Sequence, residues 1–367
     1  MDGLVMNPET TQAVDRLRRI RGRATGEAPI ALVDGPDIHL STGDPDQPFW
    51  IASVDKVFIA TLIAQLFDDG SVTPETPIGQ LLPTSTTTHL PAVPGVDNQR
   101  DITVARLLAH TSGLYDICEP PRGVFTTCSI EQIHRHPDRL WTVESLLEQS
   151  AELPPFAAPG TRFQYSDTGY LLLIRILEEA RGSGFGAELK KRILDPCGMD
   201  DTAAWVDADG QDLRLLVDRL APFQLGSGIR DNRAAFAPNL TWSRGMGGPS
   251  TANDLVRFQR HLHAGRLCGR QWLTTMGEPQ HRRHRGIYSG AGMTALRFGG
   301  FFPTLRHYPD AVGGLGYTAV HAFYYPDHHT HVILNFHEHR QMTTSFRHHI
   351  RIAALIKNSA INQREAS

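Results

Sequence analysis

The chain has 367 residues, of which 40% are hydrophobic and 20% charged, and its 36 basic and 39 acidic residues give a formal net charge of −3. This composition is typical of a soluble globular protein with one large α/β unit or two packed lobes, and it favours neither nucleic acid nor a membrane as a partner. No apolar run approaches the roughly 20 residues that cross a bilayer, and the N-terminus lacks the pattern of a secretory signal. A cytoplasmic location is therefore expected, unless a leader has been removed.

The N-terminal part of the chain carries helix and strand patterns in turn. Residues 8–22 have apolar residues at helical spacing, which predicts an amphipathic helix. The runs APIALVDG and DIHLSTG, separated by an Asp-Gly-Pro turn signal, predict a hairpin. From Ser53 to Leu66 the chain is mostly apolar and free of glycine and proline, which predicts a buried helix with Ser53 at its N-terminal end.

Helical patterns alternate with proline- and glycine-rich loops from Thr73 to about Leu225, which predicts a helical lobe. Then come a glycine-rich turn and a helix whose expected N-cap is Ser250 or Thr251. The strand-like runs TALRFG, YTAVHAFYYP and THVILNFH follow, the last two joined as a hairpin, and a closing helix ends the pattern. We therefore predict an α/β fold of the α+β type. Residues 1–72 and 240–367 build an antiparallel sheet lobe, residues 73–239 a helical lobe, and the active site lies between them.

Ser53 and Lys56 form a Ser-x-x-Lys motif at the start of the predicted buried helix. Their i,i+3 spacing places both side chains on one face, about 5–6 Å apart at Cβ. Because a serine hydroxyl is a weak nucleophile near neutral pH, a desolvated amine with a lowered pKa is a suitable acceptor for its proton. The motif often occurs by chance, but a lysine facing an apolar helix is costly unless a site requires it.

Tyr165 lies where a Pro-Gly turn and a short extended stretch lead into a strongly apolar helix, in the segment PPFAAPGTRFQYSDTGYLLLIRILEE. A phenol at such a place can move a proton between a serine and a leaving group. Taken alone, the pattern also fits a core tyrosine with Asp167 as the helix N-cap.

Five blocks of sequence, in order and at the usual spacings, resemble the class C β-lactamase and penicillin-binding-protein-like family. They are FWIASVDKVFIATLIAQLFDDGSVTPETPIGQLLP, ITVARLLAHTSGL, APGTRFQYSDTGYLLLIRILEEARG, DPCGMDDTAAW and GMGGPSTANDLVRF. That family includes D,D-peptidases, serine esterases, D-amino-acid amidases and acyltransferases. The resemblance covers roughly residues 10–340. It implies that Ser53 is the acylated serine, Lys56 its proton acceptor and Tyr165 the tyrosine of the Tyr-x-Asn motif.

Two motifs depart from the family pattern. Asp167 stands where the Tyr-x-Asn motif has asparagine, so it can accept a hydrogen bond but brings negative charge. The third family motif, Lys-Thr-Gly or His-x-Gly, aligns with Ala311-Val312-Gly313, which has neither cation nor hydroxyl. The resemblance places Gly314 next to it as an oxyanion donor, together with the N–H of Ser53. Arg306 and His307 are the candidates for the missing cation.

Other histidines and cysteines give no metal pattern. The C-terminal histidines have a spacing that fits strand faces and a turn, and the four cysteines contain no CxxC pair. His110, in HTSGL, is interpreted as structural. Cys118 and Cys128 are expected to be free thiols, with a local disulfide as the alternative.

The sequence thus predicts a serine hydrolase that forms an acyl-enzyme on a small ester, amide or peptide, without a cofactor or metal. Because the third motif lacks its cation, neutral acyl compounds are expected to be better substrates than β-lactams. A biosynthetic acyltransferase and a non-catalytic binding protein on the same scaffold remain the alternatives. The oligomeric state is not predicted.

Overall fold

The computed structural model describes residues 8–129, 132, 135–136, 139–203, 212–226, 230–236 and 247–366.

Ten strands form one large antiparallel sheet and one small one. Their bounds are β1 Ile30–Asp34, β2 His39–Thr42, β3 Phe49–Trp50, β4 Pro249–Ser250, β5 His281–His284, β6 Ile287–Ser289, β7 Thr294–Leu296, β8 Ala311–Gly316, β9 Val320–Tyr325 and β10 Thr330–Asn335. Eight strands follow the order β2-β1-β10-β9-β8-β7-β6-β5, while β3 and β4 pair separately. The register runs from Ile30 opposite Asn335 to Asp34 opposite His331. Strands from both ends of the chain therefore share one sheet, as predicted.

Helices cover both faces of the large sheet. Their bounds are α1 Pro8–Arg18, α2 Asp55–Asp68, α3 Thr84–Thr87, α4 Asn98–Asp101, α5 Val104–Leu108, α6 Val143–Ser150, α7 Asp167–Arg181, α8 Phe185–Leu189, α9 Asp195–Cys197, α10 Asp200–Ala203, α11 Asp212–Arg219, α12 Arg233–Phe236, α13 Ala252–His263, α14 Arg270–Gly277 and α15 Met342–Ala366. No helix in the described ranges is both long enough and apolar enough to span a membrane.

The large sheet separates two apolar cores, one on each of its faces. The larger core contains α2 and α7, and nearly every residue of α2 is buried. A helix that is apolar all round must lie inside the protein, which explains why α2 occupies the centre of the fold. The smaller core packs α1 and α15 on the opposite face, with Val14 and Leu17 of α1 almost fully buried.

Local capping settles several sequence-based expectations. Thr251 is the N-cap of α13, since its hydroxyl accepts a hydrogen bond from the N–H of Asp254 at 3.1 Å. The N-cap of α7 is Ser166, and Asp167 is instead the first residue of that helix. The N-terminal helix ends at Arg18 rather than at residue 22.

The predicted lobe boundaries remain predictions. The hairpins β1–β2 and β9–β10 form as expected. Residue 240, the expected start of the C-terminal part of the sheet lobe, lies outside the described residues, as does most of the glycine-rich turn that precedes β4.

Candidate active site

Ser53 lies in a 3-10 turn, Ala52–Val54, that leads directly into α2. Ala52 adopts a φ of +48°, a left-handed conformation that costs free energy in a residue with a Cβ atom. The turn is enclosed on one side by β8, where a Cβ atom at Gly314 would come within 3.1 Å of the Val54 Cα. The strained backbone at Ala52 and the close contact between Val54 and Gly314 thus constrain the position of the Ser53 hydroxyl.

Lys56 lies one helical turn from Ser53 and faces the same opening. Its Nζ is 3.3 Å from the Ser53 Oγ, forms an ion pair with an oxygen of Asp167 and lies 4.0 Å from an oxygen of Asp55. The lysine side chain is only 11% exposed. A buried ammonium of this kind needs a counter-ion, which Asp167 supplies from the first turn of α7.

The pKa of Lys56 is raised, which contradicts the expectation of a lowered value. Burial alone would lower this pKa, but the charge of Asp167 and its hydrogen bond to the ammonium, with a smaller contribution from Asp55, outweigh burial and hold the pKa well above its usual value. In the same pair, burial would raise the pKa of Asp167, and the Lys56 ammonium instead lowers it. The resting site therefore contains an ammonium–carboxylate pair rather than a free amine.

Tyr165 completes the group around the nucleophile. Its side chain lines the same small cavity as Ser53 and Lys56. Burial is the main cause of a raised pKa of Tyr165. Lys56 Nζ lies 5.3 Å from the centroid of the Tyr165 ring. The phenol is thus protonated at neutral pH, beside a cation that would stabilise it if it lost that proton.

His110 packs against the Tyr165 ring. Its ring packs 4.4 Å from the Tyr165 ring, between centroids, and its Nδ1 accepts a hydrogen bond from the N–H of Ser166 at 3.2 Å. Its carbonyl oxygen accepts another from the N–H of Gln164 at 2.9 Å. Burial lowers the pKa of His110 to about 3, so the ring stays neutral while it positions the loop.

Two further carboxyl groups, those of Asp55 and Asp116, lie close to the Lys56–Asp167 ion pair. Neither was among the site residues predicted from the sequence. Burial raises the pKa of Asp55 to about 7. Burial, followed by the charge of Asp167, raises the pKa of Asp116 to about 8. Asp116 accepts hydrogen bonds from the N–H of Cys118 at 2.7 Å and from that of Asp167 at 3.2 Å. Asp116 therefore holds the start of α7 in place.

The strand β8 lies beside Ser53, as the resemblance implied. Gly313 and Gly314 line a small cavity together with Ser53 and Lys56. Neither of the proposed substitutes for the missing cation lines this cavity or the larger one next to it. Arg306 and His307 are exposed instead, and the Nε of Arg306 lies 3.2 Å from the Nε2 of His307.

Arg283, like Asp55 and Asp116, lies at the candidate site and was missed by sequence reasoning. It lies on β5, and its Cζ is 3.8 Å from the centroid of the Tyr165 ring. It lines both the small cavity and the larger one. The only signal in the sequence is the basic run HRRHR at residues 281–285, which matches no motif of the family.

The larger cavity opens beside Ser53 and has a volume of about 460 Å³. Its walls are mainly apolar and come from both parts of the fold: Trp50, Ile117, Leu146, Leu171, Leu225, Phe236, Ile287, Leu315, Tyr317, Met342 and Phe346. A cavity of this size and polarity suits a small organic molecule.

Metal-binding chemistry has one candidate cluster among the described residues. The ligand atoms of Asp116, Cys118 and Asp167 lie within 4.8 Å of one another. The Lys56 ammonium already contacts Asp167 there. Cys118 and Cys128 are free thiols whose side chains hydrogen-bond to each other.

Three known proteins show the range of similarity. Penicillin-binding protein 4 of Amycolatopsis lactamdurans is 32% identical over 261 residues, which cover 67% of this chain and 62% of that protein. Esterase EstB of Burkholderia gladioli is 25% identical over 234 residues, covering 60% and 58%. The chain thus spans less than two thirds of either relative. The D-amino acid amidase of Ochrobactrum anthropi SV3, in its complex with L-phenylalanine, has the same fold. The two structures superpose with a TM-score of 0.73 and 20% sequence identity, and the aligned region covers 97% of this chain and 100% of the amidase chain.

A family model described as Beta-lactamase matches residues 22–355, which is most of the sequence. This match confirms the resemblance seen in the five sequence blocks. The chain therefore belongs to the β-lactamase family.

Proposed function

We propose that the protein is a serine hydrolase that cleaves esters or amides through an acyl-enzyme on Ser53. The observation that carries this proposal is the group formed by the Ser53 hydroxyl, the Lys56 ammonium 3.3 Å away and the phenol of Tyr165, which lines the same small cavity. Nucleophile, proton acceptor and proton donor are thus within reach of one carbonyl carbon.

The raised pKa of Lys56 determines how the serine loses its proton. An ammonium cannot accept a proton unless it gives one up, and Asp167 is the carboxylate in contact with it. In the proposed step Ser53 transfers its proton to Lys56 while Lys56 transfers one to Asp167. The serine oxygen then bonds to the substrate carbonyl carbon, and the backbone N–H groups of Ser53 and Gly314 stabilise the oxyanion.

Tyr165 acts on the leaving group in this proposal. Its phenol, held protonated by burial, donates a proton to the departing nitrogen or oxygen as the acyl bond breaks. The resulting phenolate is stabilised by the positive charges of Lys56 and Arg283, both of which lower the pKa of Tyr165. Water then attacks the acyl-enzyme and gives a proton to the Tyr165 phenolate, and the proton on Asp167 returns through Lys56 to the Ser53 oxygen as the carboxylic acid is released.

The cavity and β8 support a substrate class. The apolar walls of the 460 Å³ cavity favour a bulky hydrophobic group next to the scissile bond. Ala311 and Val312 place no cation or hydroxyl on β8, where family members hold a substrate carboxylate. We therefore propose esters and amides, rather than β-lactams, as substrates.

Covalent labelling tests the proposal. A fluorophosphonate probe should add one adduct, located on Ser53 by peptide mass spectrometry, and Ser53→Ala should not label. Ser289→Ala is the matched control, since Ser289 lines the same small cavity and its loss should leave labelling intact. Absence of any adduct on the folded wild-type protein would favour the non-catalytic alternative. Product analysis with added alcohols or amines distinguishes hydrolysis from acyl transfer.

A further inference from the structure

Two of the four cysteines lie in the wall of the large cavity beside the candidate nucleophile. Cys118 and Cys128 both line this cavity, whereas Cys197 and Cys268 are buried elsewhere in the apolar core. Cys118 and Cys128 are free thiols, and the Sγ of Cys128 lies 3.1 Å from the carbonyl oxygen of Ile117, the residue before Cys118. The two thiols are therefore neighbours in a space that a small molecule can enter.

The pair differs chemically from the other two cysteines. A hydrogen bond from Cys118 lowers the pKa of the Cys128 thiol, and the same hydrogen bond raises the pKa of Cys118. A thiolate is the form that reacts with peroxides, and a second thiol beside it can then close a disulfide. Burial instead raises the pKa values of Cys197 and Cys268 to about 12, so these two stay protonated and unreactive.

The segment that carries Cys118 also holds the start of α7, where Asp167 lies. Asp116 accepts hydrogen bonds from the N–H of Cys118 at 2.7 Å and from the N–H of Asp167 at 3.2 Å. The next residue, Ile117, donates its N–H to the hydroxyl of Thr168 at 3.2 Å. A displacement of Cys118 is therefore transmitted to the carboxylate of the buried ion pair.

Closing a disulfide between the two thiols must displace Cys118. The sulfur atoms of a disulfide lie about 2.05 Å apart, well inside the contact distance of two unbonded thiols. Cys128 is only 3% exposed and its sulfur is hydrogen-bonded to the Ile117 carbonyl, so the half-buried Cys118 has more freedom to move. A misplacement of about 1 Å in the groups that position a catalytic site can cost about 100-fold in rate.

We propose that Cys118 and Cys128 form a peroxide-sensitive modification site whose disulfide switches off the candidate active site. The Cys128 thiolate attacks one oxygen of hydrogen peroxide, the O–O bond breaks, and the hydroxide that leaves takes up the proton released by Cys128. The Cys118 sulfur then attacks the sulfenic sulfur, the S–O bond breaks, and water leaves with the Cys118 proton. Peroxide is reduced by two electrons, the two thiols are oxidised to one disulfide, and a dithiol reverses the change.

Mass spectrometry tests the bond itself. After treatment with hydrogen peroxide, the folded protein should lose two hydrogen atoms and contain one disulfide that links the peptides of Cys118 and Cys128. Cys197 and Cys268 should remain free for alkylation once the protein is unfolded. Retention of all four thiols, or a disulfide that includes Cys197 or Cys268, would overturn the proposal.

Hydrolysis measures the consequence of the bond, and this part of the inference rests on the proposed function. In the wild type, peroxide should reduce ester hydrolysis about 10- to 100-fold relative to the dithiothreitol-treated protein, and dithiothreitol should restore it. Cys128→Ser should show no such difference between the two treatments. Cys268→Ser, which removes a buried thiol away from the cavity, is the matched control and should respond as the wild type does. Disulfide formation without loss of hydrolysis would exclude the switch.

Amide hydrogen exchange separates this inference from the proposed function. Exchange in the peptide that begins α7 should be faster in the oxidised protein, whether or not any ester is cleaved. If neither redox state cleaves esters but the disulfide forms and exchange rises, the proposed function is wrong while the modification site stands. Unchanged exchange at α7 would show that the disulfide does not act on the site through Asp116.

Discussion

Two clusters of buried polar side chains in this protein offset the cost of leaving water in opposite ways, one with paired charges and the other with hydrogen bonds between neutral groups. Around Lys56 the fold buries opposite charges in contact, next to a cavity. On the other face of the sheet, His321 Nδ1 lies 2.9 Å from His349 Nδ1 and His321 Nε2 lies 2.7 Å from the Ser345 hydroxyl, in a cluster that is fully buried.

The difference lies in what each group can do. Burial lowers the pKa of His349 to about 3 and that of His321 well below its usual value, so both rings are neutral and each is held by hydrogen bonds. The pair of Lys56 and Asp167 keeps its charges, which is costly and unnecessary for packing. Buried charge beside an opening therefore distinguishes the candidate active site from the buried cluster of a serine and two histidines.

The largest expected effect separates the two serines. Ser53→Ala should reduce kcat by about 10³-fold or more and leave the fold intact, since its side chain is half-buried and fills little space. Ser345→Ala should leave kcat unchanged and cost about 1 kcal/mol of unfolding free energy through its lost hydrogen bond. Ester hydrolysis and urea denaturation of both variants measure this. Comparable activity in Ser53→Ala and wild type would exclude Ser53 as the nucleophile.

Tyr165→Phe should show a smaller, substrate-dependent loss. An amide needs a protonated leaving group, whereas an activated aryl ester does not, so the variant should lose about 10- to 100-fold more kcat on the amide. His110→Asn tests whether the supporting ring matters independently of the phenol. An equal loss on both substrates in Tyr165→Phe would assign Tyr165 a positioning role.

Asp167→Asn should change the pH profile more than the maximal rate. In the wild type the proton acceptor exists above the pKa of Asp167, which Lys56 holds below its usual value. With asparagine, Lys56 must lose a proton to solvent, so the acidic limb of kcat/KM should move to higher pH. A move to lower pH would show that Lys56 acts directly as a free amine in the wild type.

The smallest expected effect per residue is the contribution of each neutral buried histidine to the pH dependence of the free energy of unfolding. Seven described histidines have lowered pKa values because burial disfavours the charged ring: His110, His263, His321, His331, His337, His348 and His349. Below pH 6.5 the unfolded chain binds more protons at these sites, so stability should fall as pH falls, by about 1 kcal/mol for each between pH 7 and 5.5.

Carboxyl groups with raised pKa values oppose this trend, and they include Asp254 and Asp310. The largest of these shifts, to about 7 for Asp55 and about 8 for Asp116, give stability that is present at low pH and lost as pH rises through those values. The seven histidines outnumber these carboxyl groups, so urea denaturation should show net loss towards pH 5.5. His349→Leu should reduce the slope with no effect on kcat. A flat profile would mean that these rings are not buried neutral in solution.

Sequence reasoning recovered what local motifs encode. The Ser-x-x-Lys spacing and the apolar length of α2 predicted that Ser53 and Lys56 face one opening, and the structure places Tyr165 and Asp167 there as well. The family resemblance implied that Gly314 lies beside Ser53, and in the structure a Cβ atom at Gly314 would come within 3.1 Å of the Val54 Cα.

Features that depend on contacts between distant segments could not be predicted. Burial of Lys56 suggested a lowered pKa, but its value depends on the competing charge of Asp167, whose distance only the fold defines. Arg283 was missed because nothing in HRRHR says which arginine turns inward or that β5 meets the Tyr165 loop.

The pairing of β1 with β10 has a consequence for how the protein is made. During translation α2, a largely apolar helix, leaves the ribosome early, while β8 and β10, which complete its surroundings, are among the last segments synthesised. The nascent chain must therefore shield this helix for most of its synthesis, and its sheet closes only through contacts between distant parts of the sequence. Folding yield should accordingly depend more on chaperones and on the speed of translation than on the stability of the finished protein.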